Sequence, residues 1–176
     1  MQSSKRLRTL GIDPGLDRTG WAVVEQCGCR DPFLVSAGLV HTAAGTDLPR
    51  RLEIIFNSVR EVIAAQRPDA LAIEEMFFVK RAASQGATIQ ARGVIVLAGQ
   101  LAGLSPAMYN PRRVKMTLTG NGAADKSQMQ RIIQLVLKLD KPLSPDDVAD
   151  AAAIALCHVK TAPYAAALKA AKVKLR

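Results

Sequence analysis

The chain reads as an α/β protein built on one five-stranded mixed sheet flanked by helices, and three observations predict it. Two apolar runs, residues 7–15 and 20–27, are joined through Asp13-Pro14-Gly15. Pro fixes φ and Gly accepts positive φ, so this is hairpin chemistry. Residues 48–66 then change period: Leu48, Leu52, Ile55, Phe56, Val59, Val62 and Ile63 recur every three or four positions and form one apolar helical stripe. After that, short apolar segments alternate with longer helical ones, which adds further strands to the opening meander and helices to its faces.

In order, a third strand, residues 33–41, completes the meander. Thr46 or Asp47 can cap the helix that follows, and Pro49 suits its first turn. Arg50, Arg51, Glu53, Arg60 and Glu61 are expected mostly on its wet side. Arg67-Pro68-Asp69 breaks the helix. Residues 70–73, an unbroken apolar run, make a fourth strand buried on both faces and closed by Glu74 and Glu75. Phe77 and Phe78 follow beside Lys80 and Arg81. Residues 82–103 are small and apolar, long enough for a helix, with Gly86, Gly93, Gly99 and Gly103. These glycines allow close approach either of a second subunit or of the chain's own core. Residues 106–109 form a short fifth strand. A basic stretch follows, with Arg112, Arg113, Lys115, Lys126, Arg131, Lys138 and Lys141 against Asp125 and Asp140, and Lys126 to Leu139 reads as a helix.

The 176 residues, 49% of them hydrophobic, suffice for one domain over 1–176, with a core at about 8–160 and a basic tail at 161–176. A net charge of +9 points to a polyanionic partner, nucleic acid before membrane. Three cysteines argue against a disulfide framework, and Cys27-Gly28-Cys29 lacks the spacer of a zinc knuckle. No signal peptide or membrane span is evident, so a cytoplasmic location is expected.

The acids carry the chemistry. Asp13 stands at the mouth of the first turn and Glu74 closes a buried strand. Asp146 and Asp147 follow Ser144-Pro145 at a helix start, where a cap and the helix dipole account for them. Asp150 has no such account: it sits in an alanine-rich segment whose neighbours all favour burial, and an unpaired buried carboxylate is costly. Carboxylates from three separate elements that can converge suggest a divalent-metal site.

Gly11-Ile12-Asp13-Pro14-Gly15 with Thr19-Gly20-Trp21 resembles the opening of the RuvC family of Holliday-junction resolvases. Ala72-Ile73-Glu74-Glu75-Met76-Phe77, Gln90-Ala91-Arg92-Gly93 and Asp147-Val148-Ala149-Asp150-Ala151 are similar in turn, four ordered motifs between about residues 8 and 160. The resemblance implies a ribonuclease H-like fold and a homodimeric, metal-dependent endonuclease that resolves four-way DNA junctions in recombination and repair. It further implies partnership with the RuvAB branch-migration complex. By the same resemblance, Asp13, Glu74, Asp147 and Asp150 hold Mg²⁺ or Mn²⁺, two ions per site. Lys115 and Lys126 match basic positions near the scissile phosphate, and Phe77 matches an aromatic at the junction centre. Lys80, Arg81 and Arg112 are further candidate DNA contacts. The chain departs from the pattern with a second acid at Glu75. Asp146 adjoins Asp147, so spacing leaves the register open by one residue, and the family motif selects Asp147. Two other classes compete. A sugar-kinase-like ATPase needs a second lobe for which there is no room, and an inactive junction-binding module need not keep all four acids.

Overall fold

The computed structural model describes residues 6–75 and 83–174, with backbone alone for 83–85 and 163–174. Strands β1 (Arg6–Asp13), β2 (Arg18–Cys27) and β3 (Phe33–His41) form the antiparallel meander. Helix α1 (Leu48–Gln66) crosses to β4 (Ala70–Glu74), which pairs parallel with β1. Helix α2 (Ala83–Leu101) leads to β5 (Ala107–Tyr109), parallel to β4. The sheet order is β3-β2-β1-β4-β5, so β1 is central. Helices α3 (Pro111–Thr119), α4 (Lys126–Val136) and α5 (Asp146–Lys174) follow.

Strand alternation sorts the side chains onto two faces. Leu10, Ile12, Val23, Leu71 and Ile73 point to one face and pack with Ile55, Val59 and Ile63 of α1 and with Ala91, Ile95 and Ala98 of α2. Ala22, Val24 and Ala72 point to the other, where the alanines of α5 cover them together with Val114, Met129 and Ile133. This second face is lined with small residues for a reason. A Cβ on Gly11 would stand 2.2 Å from the carbonyl oxygen of Ala151, and one on Gly20 would stand 2.0 Å from that of Asp147. The α5 backbone therefore lies directly on the sheet, where no larger residue at either position would fit.

One expectation is corrected and three points are added. Arg51 is buried rather than on the wet side of α1: it donates to the hydroxyl of Thr42 (2.8 Å) and pairs with Asp17. The basic stretch after β5 contains a helix of its own, α3, capped by the Asn110 side chain and ended at Gly120 with φ 75°. The basic tail continues α5 as helix to Lys174. Asp47, not Thr46, caps α1.

Candidate active site

Strand parity places the first two acids. Asp13 is two residues from Gly11 and Glu74 two from Ala72, so both side chains lie on the α5 face. Leu10 to Ile12 run in register with Leu71 to Ile73, which sets the two acids side by side at the ends of adjacent parallel strands. Asp13 also faces Gly20 across the hairpin, and Gly20 is where the first turn of α5 touches the sheet. The close approach that the glycines permit thus brings Asp147 and Asp150 to the same end of the sheet.

The electrostatics record this convergence. Burial, then the charges of Glu74, Asp150 and Asp147 and a hydrogen bond to Glu74, push the Asp13 carboxyl from 3.8 up to about 8. Burial and Asp150 raise Glu74, against the hydrogen bond from Asp13 and the charge of Lys115. Burial also raises Asp150, opposed by Lys126 and Lys115 and reinforced by Asp146 and Asp147. Both shifts run toward the neutral form, and they belong to the pair of carboxyls together.

The other two acids of α5 are turned to cations. Arg18 donates to Asp147 Oδ2 through Nε at 2.8 Å and also through Nη2. Lys126 Nζ lies 2.7 Å from Asp146 Oδ2, and Gln130 Nε2 donates to Asp146 Oδ1 at 2.8 Å. Asp146 thus links α4 to α5 at their surface, beside the apolar packing of Met129 and Ile133, a role beyond that of a dipole residue. Among the described residues no three acid, histidine or cysteine side chains stand as a ready-made metal cage. The donor set nonetheless fits a hard divalent cation: carboxylate oxygens alone, crowded until burial and mutual repulsion disfavour ionisation.

Around the acids, Lys115 on α3 lies near Glu74 and Asp150, and Lys126 opens α4 beside Asp146. Arg112 is exposed on the first turn of α3 with its stem against Gly122. Phe77, Lys80 and Arg81 lie outside the described residues. Neither histidine joins the site. His158 is buried, and its Nδ1 is 3.0 Å from the hydroxyl of Tyr109. Sequence reasoning missed Arg18, whose partner lies 129 residues away, and no local signal marks such a pair.

A ribonuclease H-like sheet that gathers acids from its two central parallel strands and from a covering helix defines a class, the polynucleotidyl nucleases of that fold. The comparisons narrow it. The family model described as crossover junction endodeoxyribonuclease RuvC matches residues 9–158. The protein of that name from Chloroflexus aggregans is 45% identical over 157 residues, covering 89% of this chain and 95% of its relative. The Thermus thermophilus RuvC structure superposes with a TM-score of 0.82 at 32% identity, covering 90% of this chain and 97% of that one. A structure of T. thermophilus RuvC in complex with a Holliday junction substrate gives 0.82 at 30% identity, over 90% and 96%. The chain belongs to the RuvC family.

Proposed function

We propose that this chain resolves four-way (Holliday) DNA junctions by paired, metal-dependent phosphodiester hydrolysis, in homologous recombination and repair. The observation that carries the reading is the convergence of Asp13, Glu74 and Asp150 at one end of the sheet, where each carboxyl is raised by burial first. Asp13, Glu74, Asp147 and Asp150 would hold Mg²⁺ or Mn²⁺, two ions per site. Bound there, such ions supply an activated water and charge stabilisation for both oxygens of an in-line displacement.

The chain's own residues do the rest. Asp13, on the central strand, lies between Glu74 on one side and the first turn of α5 on the other, so it would hold metal together with acids from both sides. A bound cation would favour the ionised forms of Asp13 and Glu74, against the burial that disfavours them. Lys115 and Lys126 meet the phosphate at the rim, where a fixed cation favours the charge that builds up in the transition state. Arg112, with Phe77, Lys80 and Arg81, extends the contact to the DNA arms and the junction centre, as the family resemblance implies.

Paired cutting needs two sites, and α2 supports a homodimer. Ile89, Leu97 and Leu101 are 36%, 50% and 67% exposed and recur every four residues with Gly93, whose Cα has open space before it. One helix face thus presents a stripe of apolar and small residues to solvent, as a dimer seam requires. Gly99 instead packs on Leu71 of the chain's own core, so the glycines of α2 divide between the two roles. The RuvAB branch-migration complex is the proposed partner by family. A cytoplasmic location belongs to the same reading by family, and no helix among the described residues is long and apolar enough to cross a membrane. Incubating the purified chain with a synthetic four-way junction, with and without Mg²⁺, tests the reading. Symmetric nicks only with metal support it.

A further inference from the structure

We propose that Arg18 is a built-in competitor for the metal at Asp147: its guanidinium holds that carboxylate in the metal-free protein and leaves when a cation binds there. The proposal rests on the reading of Asp147 as a metal ligand.

Arg18 opens β2, and the turn before it is fastened from three directions. Thr19 Oγ1 donates to the carbonyl of Gly15 at 2.6 Å, and Thr42 Oγ1 to that of Leu16 at 2.6 Å. Buried Arg51, anchored on α1, pairs with Asp17. The backbone of Arg18 is therefore held in place, and the side chain reaches across to the first turn of α5. There, Nε and Nη2 both donate to one oxygen, Oδ2 of Asp147. A hard divalent cation held by that oxygen would take the same lone pairs, so guanidinium and metal compete for Oδ2 of Asp147.

The other cations near the acids do not compete in this way. Lys126 is engaged with Asp146, and Lys115 bears on Glu74 and Asp150 through its charge. Exposure makes displacement feasible: the Arg18 side chain is 47% exposed, with solvent to swing into, while that of Asp147 is 24% exposed. An ion pair so open to water is weak, so Arg18 raises the metal concentration required and does not bar the site. A purely structural pair, pinning β2 to α5, makes the opposite forecast, since its loss weakens the protein with and without metal alike.

The experiment is a calorimetric titration of the full chain with Mn²⁺ alone, using wild type, Arg18→Gln, Asp147→Asn and the double variant. Arg18→Gln should bind Mn²⁺ about two- to fivefold more tightly than wild type, the range set by an exposed ion pair. In the Asp147→Asn background the same substitution should change nothing. Metal-free Arg18→Gln should melt below wild type, and saturating Mn²⁺ should raise its melting temperature by more degrees than it raises that of wild type. Equal or weaker Mn²⁺ binding by Arg18→Gln would overturn this proposal alone. A gain that persists without Asp147 would overturn it too, by showing repulsion through space, as would a melting deficit that Mn²⁺ leaves unchanged. If none of the four proteins binds Mn²⁺, the metal-site reading itself falls and takes this proposal with it.

Discussion

Replacing Asp13 by Asn removes one ionisable carboxyl from the crowded acids while leaving the shape of the side chain. The Asp13 carboxyl titrates at about 8 in the folded protein against 3.8 for an exposed one, chiefly through burial and then Glu74. An acid raised on folding binds more protons folded than unfolded. Its contribution to stability is therefore complete below its unfolded pKa and is lost as pH rises through its folded one. Integrated from about pH 5 to about pH 8, the loss has a ceiling of about 4 kcal/mol. For a chain of this size that amounts to at most roughly 8–16 °C in melting temperature. Glu74 and Asp150, raised by burial as well, add loss of the same sign. In scanning calorimetry without metal, wild type should lose stability over this interval and Asp13→Asn should lose less, so that the variant melts higher at pH 8. Mg²⁺ or Mn²⁺ should restore wild type at pH 8 and do little for the variant. Parallel curves, or a variant less stable than wild type at pH 8, would refute the reasoning.

Register on α5 is tested by three Asn variants. Asp147→Asn and Asp150→Asn should each remove most metal-dependent cleavage, whereas Asp146→Asn should keep it and lose at most about 1 kcal/mol, because its pair with Lys126 is exposed. Gly20→Ala should push the first turn of α5 off the sheet, costing about 1–3 kcal/mol in denaturant unfolding and lowering cleavage, while Gly45→Ala, with open space around it, serves as the neutral control. Leu97→Glu should place a charge on the exposed stripe of α2 and shift sedimentation from dimer toward monomer with little change in the fold of each subunit.

Much of this architecture was legible because it is local. Asp13-Pro14-Gly15 declares a turn, the period change at residue 48 declares a helix, and an acid inside an alanine run has few structural reasons to be there. That Asp13 and Glu74 lie on one face becomes visible in the structure, from strand parity and the register of β1 with β4. What stayed hidden depends on contacts distant in sequence or on short elements. Helix α3 has nine residues and a single fully buried one, Val114, too few for a periodic stripe. Its signals were the cap at Asn110, the proline after it and Gly120. Arg51 looked like a surface cation because its partners, Asp17 and Thr42, come from a turn and a strand end that sequence does not place beside α1. Arg18 and Asp147 are likewise joined by the fold alone. Asp146 could be read as a helix-dipole residue, yet its partners Lys126 and Gln130 come from the preceding helix and become visible in three dimensions.

The central claim is that four carboxylates make this protein a metal-dependent junction nuclease, and a junction assay pairing wild type with Asp13→Asn tests it most directly. With end-labelled four-way DNA in Mg²⁺, wild type should yield paired nicks and Asp13→Asn none. Both should retard the junction in a gel when metal is withheld. Nicking by Asp13→Asn at a rate near that of wild type, or nicking by wild type in excess chelator, would contradict the claim.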